Sequence, residues 1–273
     1  MIKRKIKSMR WKKIKQVFGI WYGLKYYMAY SLHKRCYIEW IGKRIIKLRY
    51  KKHNLYVRLF SRDLDFLESI YIGQYHNGKY SGEYEVKGAD ECEAYIDLGA
   101  NIGLFTVLYA LRYPNKTIVS VEPEKTNYAL LKRNTVELKN VICLNNAVWY
   151  KNAWVKVYES SVKIYPSNTP SEGGFYVGEC KKTEEDAMFA VSINSIVDKF
   201  NIDNYMVKMD VEGAEYAIFE KGKLDWIEKC KMIVMETHDR LFSEYSEQSI
   251  FKIIKTTHYR KRKVGENHVF IRR

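Results

Sequence analysis

Three carboxylates crowd one short stretch, Lys208-Met-Asp210-Val-Glu212-Gly-Ala-Glu215, which closes an apolar run and opens a segment of helical period. Alternation along a strand puts Lys208 and Asp210 on the same face, and that many charges are costly to bury without partners. Glu212 and Glu215 suit a helix start, where the dipole favours an acid. Asp210 suits a site, as a base that takes the proton of an acceptor hydroxyl, with Lys208 orienting the acidic group. A second acidic stretch, Glu236-Thr-His238, brings the alternative base, the imidazole of His238. Asp210, Glu236 and His238 are too few oxygen ligands for a hard cation, and no metal is assigned.

A different chemistry belongs to Asp97-Leu-Gly99-Ala-Asn101-Ile-Gly103, which joins another apolar run to a helix. Glycines there let backbone and ligand approach closely. In a dinucleotide fingerprint the second glycine makes room for a pyrophosphate; here Asn101 stands at that point and an acid, Asp97, precedes the loop. Both changes disfavour a phosphate. They suit S-adenosylmethionine, which has none and presents an amine and a sulfonium that a carboxylate can approach. Glu122 follows Gly99 by 23 positions, at the end of the next apolar run, where an acid can accept two ribose hydroxyl hydrogen bonds. Asn146 and Ala147, after the third run, offer amides for an adenine edge.

The elements that must position these groups alternate in type. Apolar runs at residues 94–98, 117–121, 141–144, 205–209 and 231–235 read as strands, and helical period falls between them, as in Leu104, Val107, Leu108 and Leu111, then at about 124–138 and 214–221. Such βαβ units predict an α/β, doubly wound sheet with its ligand beyond the carboxyl ends of the strands. A terminal pair, about 259–263 and 268–271, predicts an antiparallel edge strand. The turn-rich stretch 166–180 reads either as a cover for the acceptor pocket or as an exposed hairpin.

The 273 residues, 47% apolar and 29% charged with four prolines, exclude collagen, coiled-coil, solenoid and largely disordered chains. Five scattered cysteines without C-x-x-C exclude a zinc module or disulfide scaffold. No segment is apolar for long enough to span a bilayer, and a cytoplasmic setting is expected. The net charge of +15 is concentrated at one end: residues 1–60 hold 18 Lys and Arg against one acid, Glu39, a balance of +17. Within residues 1–34, Ile14, Val17, Phe18, Trp21, Leu24 and Met28 recur near the helical period, and the reading is a basic amphipathic helix. It could lie on an anionic membrane surface, bind nucleic acid phosphates, or pack on the domain. A hairpin should follow, residues 45–50 against 55–60 around 51–54.

Taken together, Asp97-Leu-Gly-Ala-Asn-Ile-Gly103, Val121-Glu-Pro-Glu124, Asn146-Ala-Val148, Lys208-Met-Asp-Val-Glu-Gly-Ala-Glu215 and Glu236-Thr-His238 resemble the ordered motifs of the FkbM family of class I S-adenosylmethionine-dependent methyltransferases over about residues 90–240. The resemblance implies a seven-stranded, Rossmann-like methyltransferase sheet with a reversed final strand. It also implies O-methylation, with sugar hydroxyls of glycans or natural products as common acceptors. The expected arrangement is a basic helical and hairpin extension over residues 1–85 and a methyltransferase domain over 86–273. The expected activity is methyl transfer from S-adenosylmethionine to a glycan or lipid-linked sugar, by a protein that is peripheral on the inner face of a membrane. An RNA ribose methyltransferase and a non-catalytic donor-binding protein are the alternatives.

Overall fold

The computed structural model describes residues 10–24, 26, 45–59, 61–76, 79–81, 84, 86–159, 175–211, 214–236, 247–255, 259–264 and 267–272. His238, Glu212, Gly213, Met28 and most of the 166–180 stretch lie outside the described residues.

The first described element is helix α1 (residues 10–24), which buries Ile14 and Phe18 as its periodicity predicts. Trp21 and Leu24, although they continue the same spacing, are exposed. Gly19 is the reason. Its φ of +74° interrupts the regular helix, and the chain folds back so that a Cβ on Gly23 would lie 3.2 Å from Ile14 Cγ2. In an unbroken helix, residues nine apart would stand about 13 Å apart along the axis.

Next come the expected hairpin, β1 (Ile45–Tyr50) and β2 (His53–Arg58), and helix α2 (Asp63–Leu67), which runs into a π-helical turn at Glu68–Ile72. Lys51, in the two-residue turn between the strands, has φ +53°. A short hairpin, β3 (Gln74–His76) and β4 (Lys79–Ser81), precedes the main sheet.

The doubly wound sheet is as the sequence predicts. Strand β5 (Ala94–Leu98), helix α3 (Leu104–Arg112), strand β6 (Thr117–Val121), helix α4 (Lys125–Thr135) and strand β7 (Val141–Leu144) build one half outward from the centre. Four strands then form a second, smaller sheet: β8 (Ala147–Val148), β9 (Ala153–Glu159), β10 (Phe175–Glu179) and β11 (Met188–Val191), in the order β10-β9-β11-β8. Nothing in the strand reading anticipated this sheet.

After helix α5 (Ile193–Phe200), capped by the Ser192 hydroxyl, the chain returns to the far side of β5 with β12 (Tyr205–Met209). It continues through α6 (Glu215–Lys221), α7 (Asp225–Lys229), β13 (Cys230–Met235), α8 (Glu247–Lys255), β14 (Tyr259–Val264) and β15 (Asn267–Arg272). The seven-stranded order is β14-β15-β13-β12-β5-β6-β7. Strand β15 is the reversed one and lies second from the edge, antiparallel to both β13 and β14. This is the seven-stranded arrangement with a reversed final strand that the resemblance implies. Its direction of growth reverses between β5 and β12, the place where such sheets bind ligands.

β5 and β12 are buried at every position because both faces of the sheet are covered. Ile96, Val119, Val207 and Ile233 point to one face, beneath α5 to α8 and the small sheet. Tyr95, Ile118, Met206 and Val234 point to the other, beneath α3, α4 and the elements that precede β5.

Candidate functional site

The site residues come from four strand ends. Register places Asp97 of β5 directly beside Lys208 of β12, and alternation aims both side chains at the α3 face. Lys208 Nζ lies 3.3 Å from Asp97 Oδ1 and 3.6 Å from Asp210 Oδ2, and donates to the Gly99 carbonyl at 2.7 Å. Burial by itself would push the lysine pKa down, but the charges of Asp97 and Asp210 outweigh it and hold the ammonium well above its usual value. Asp97 is fully buried, and its other oxygen accepts from the Thr106 hydroxyl at 2.6 Å, which in turn meets Ser120 at 2.8 Å. Asp97 therefore braces the loop from beneath. Of the pair of aspartates, Asp210 is the open one, with 27% of its side chain exposed.

The loop after β5 is held by backbone packing. Gly99 has φ +74°, and a Cβ there would lie 1.8 Å from the Asp210 carbonyl oxygen. The close approach made possible by this glycine is thus between β5 and the end of β12. Gly103, at φ +84°, faces Leu131: a Cβ would meet Leu131 Cδ1 at 2.5 Å, so this glycine seats α4 against the start of α3. Asn101 tolerates φ +50°, as asparagine does, and its N–H donates to Glu122 Oε2 at 2.7 Å. Its side-chain oxygen is buried and has no hydrogen-bond partner among the described residues.

Glu122, 5% exposed, takes one hydrogen bond on Oε2 from Asn101 and two on Oε1, from the Glu124 N–H at 3.0 Å and Asn127 Nδ2 at 3.4 Å. Burial raises its pKa, and these three donors oppose the rise. The helix-start role falls instead to Glu124, whose carboxylate caps α4 through the N–H groups of Thr126 and Asn127. Glu122 is left to face the loop, with lone pairs for further donors.

At the end of β7, Asn146 donates its amide to the Phe189 carbonyl and Ala147 pairs with Ala190 in the small sheet. Asn145, its neighbour, donates to the Glu122 and Pro123 carbonyls. Glu215 is nearly buried and accepts from the Val211 N–H, securing the turn into α6. Glu236 ends β13 beside Met209, with its N–H on the Met209 carbonyl. Among the described residues no three His, Cys, Asp or Glu side chains gather as a metal site.

Sequence reasoning missed the supports that arrive from the N-terminal elements. Arg58 holds the buried Asp63 through two parallel hydrogen bonds, Nε to Oδ2 at 2.9 Å and a terminal nitrogen to Oδ1 at 2.8 Å. That same nitrogen reaches Asn127 Oδ1 at 2.8 Å, one residue short of Glu122. Asn134 is fully buried: it pairs with both backbone groups of Tyr56 and donates to the Ile102 carbonyl in the loop at 2.8 Å. A signal was present. Asn127 and Asn134 flank Leu130 and Leu131 at the spacing of one helix face, so two amides sit where apolar residues are expected.

The carboxylate of Glu122, the orphaned oxygen of Asn101 and the open carboxylate of Asp210 thus surround one loop at the switch point. An uncharged hydroxylated ring, an N–H donor and a cationic centre fit those acceptors; a phosphate does not. A family model described as the methyltransferase FkbM domain matches residues 97–266. No curated protein matches the chain. Among solved structures, M. jannaschii TYW2 in complex with AdoMet aligns at 15% identity over 86% of this chain and 90% of its own, with a TM-score of 0.36. Precorrin-6y C5,15-methyltransferase from Geobacter metallireducens aligns at 12% identity over 66% of this chain and 78% of its own, with a TM-score of 0.35.

Proposed function

This chain belongs to the FkbM methyltransferase family, and we propose that it is an S-adenosylmethionine-dependent O-methyltransferase whose acceptor is a sugar hydroxyl in a glycan or glycolipid. The observation that carries this reading is the presence of two unlike carboxylates beside one loop, that after β5. Glu122 is buried and surrounded by donors, whereas Asp210 is open at the rim.

When bound, the donor supplies an electrophilic methyl group on a sulfonium. Glu122 would accept from the ribose hydroxyls, and Asn101 Oδ1 would take an N–H that no other described residue provides. Lys208 neutralises the buried Asp97 and fixes the loop through the Gly99 carbonyl, so that Asp210 keeps its place at the edge. Asp210 would take the proton that the acceptor hydroxyl gives up on methylation. Positioning supplies much of the acceleration in such a transfer, and a base typically adds about 10²–10⁴-fold.

Asp210→Asn should therefore cut turnover by about 10²-fold or more while leaving calorimetric affinity for S-adenosylhomocysteine unchanged. Unaltered turnover would remove Asp210 as the base. Incubation with labelled donor and separate glycan, lipid and RNA fractions identifies the acceptor class, and label confined to the RNA fraction would overturn the sugar reading.

A further inference from the structure

We propose that α1 docks this protein on an anionic lipid bilayer, with Ile20, Trp21 and Leu24 seated at headgroup depth and the neighbouring cations against the lipid charge. The break at Gly19 gives the segment two separate apolar sets. Ile14 and Phe18 come before it, and together with Tyr26 they are buried; Phe18 stacks on Tyr26 and Tyr71 at 5.5 and 6.4 Å. The core is thereby satisfied. Ile20, Trp21 and Leu24, within five residues after the break, remain 56%, 79% and 41% exposed. A Trp flanked by aliphatic residues is the composition of a bilayer interface, where the indole meets both headgroup and acyl chain.

Charge decides between occupants. Residues 1–60 carry +17, and Lys12 and Lys15 of the same helix are exposed. A second copy of the segment would bring like charge against like. A nucleic acid would satisfy the lysines but offers nothing to Ile20 and Leu24. An anionic bilayer satisfies both sets, and no helix among the described residues is long and apolar enough to cross it. The docking does not depend on the donor reading.

The test is cosedimentation of the full chain with vesicles of phosphatidylcholine alone and with about a third phosphatidylserine, where binding to the anionic vesicles should be about tenfold stronger or more. Replacing the exposed apolar set, Ile20→Ser with Trp21→Ser and Leu24→Ser, should abolish it; Lys12→Ala with Lys15→Ala should weaken it. Calorimetry with S-adenosylhomocysteine should give the same affinity for all three proteins. Equal binding to neutral and anionic vesicles, undiminished binding of the triple variant, or retention on RNA without binding to vesicles would each overturn the proposal. Failure of every protein to bind S-adenosylhomocysteine would instead strike the donor reading and leave the docking result intact.

Discussion

The two faces of the central sheet are built on different terms. Beneath α5 to α8, the face is closed by residues that all follow β5, and its packing is mainly aliphatic and aromatic, as in Phe251 on Phe270 at 5.3 Å and Phe219 on Trp226 at 5.7 Å, with His268 beside Phe251. The opposite face shares one buried cluster with Ile14, Phe18, Leu48, Leu55, Val57, Leu64 and Leu67, which precede the family-matched residues 97–266. That face also carries the buried ion pair of Asp97 and Lys208 with Ser120, and receives Arg58 and the Asn134 bridge. The matched segment thus leaves part of its own sheet for the preceding elements to cover, and they cover it beside the candidate donor loop.

The contrast predicts that equal losses of stability will have unequal effects on binding. Phe270→Ala, on the apolar face, should lower unfolding free energy by about 3–5 kcal/mol and leave the affinity of the folded protein for S-adenosylhomocysteine unchanged. Lys208→Met, on the polar face, should cost a similar amount, about 3–5 kcal/mol, because it strands the fully buried Asp97 charge, and it should weaken ligand binding as well. Adding Asp97→Asn to Lys208→Met should recover part of the stability. Urea unfolding and calorimetry on the same samples measure both quantities. A Phe270→Ala variant that loses affinity as Lys208→Met does would erase the distinction between the faces.

A smaller effect should follow from Arg58, which touches no ligand but orients Asn127 beneath Glu122. Arg58→Ala should raise the dissociation constant for S-adenosylhomocysteine about tenfold, equivalent to about 1.4 kcal/mol, with turnover at saturating donor little changed. Arg58→Lys should not restore it, since an ammonium cannot make the two parallel bonds to Asp63 and also reach Asn127. A change confined to turnover, or full rescue by lysine, would show that the hairpin contributes packing alone.

The strands around the switch point were legible because each is a short apolar run covered on both faces, and the motifs fall at their ends. Alternation also put Lys208 and Asp210 on one face correctly. Alternation cannot say that β12 lies next to β5, so it gives Lys208 only Asp210 to orient, whereas the lysine also spans Asp97 and the Gly99 carbonyl. The helical period of residues 14–24 was equally clear, yet periodicity carries no information about a positive φ, and Gly19 moved Trp21 and Leu24 out of the stripe. Arg58 and Asn127 are 69 positions apart, and a lone arginine at a strand end reads as a solvated charge until the sheet is assembled. The small sheet was obscured by the turn-rich residues between its second and third strands.

The least effect, and the finest probe of the polar face, is the pH dependence set by Glu122. Burial raises its folded pKa above the unfolded value of about 4.3, so the ionised carboxylate is a liability to the free protein, fully present above the folded pKa and relieved as pH falls through it. Glu122→Gln should therefore make the free protein slightly more stable at neutral pH. Ligand affinity should move in the opposite sense: hydroxyl donors favour the ionised acceptor, so protonation of Glu122 should weaken S-adenosylhomocysteine binding, at a higher pH than for an unburied glutamate. Glu122→Gln should bind more weakly at neutral pH and lose that dependence. Calorimetry across pH 5 to 8, about the span where folded proteins hold, tests both signs. If the wild type and Glu122→Gln share one pH profile, the ribose hydroxyls do not meet this carboxylate, and the polar face would be support for the fold with no direct part in holding the donor.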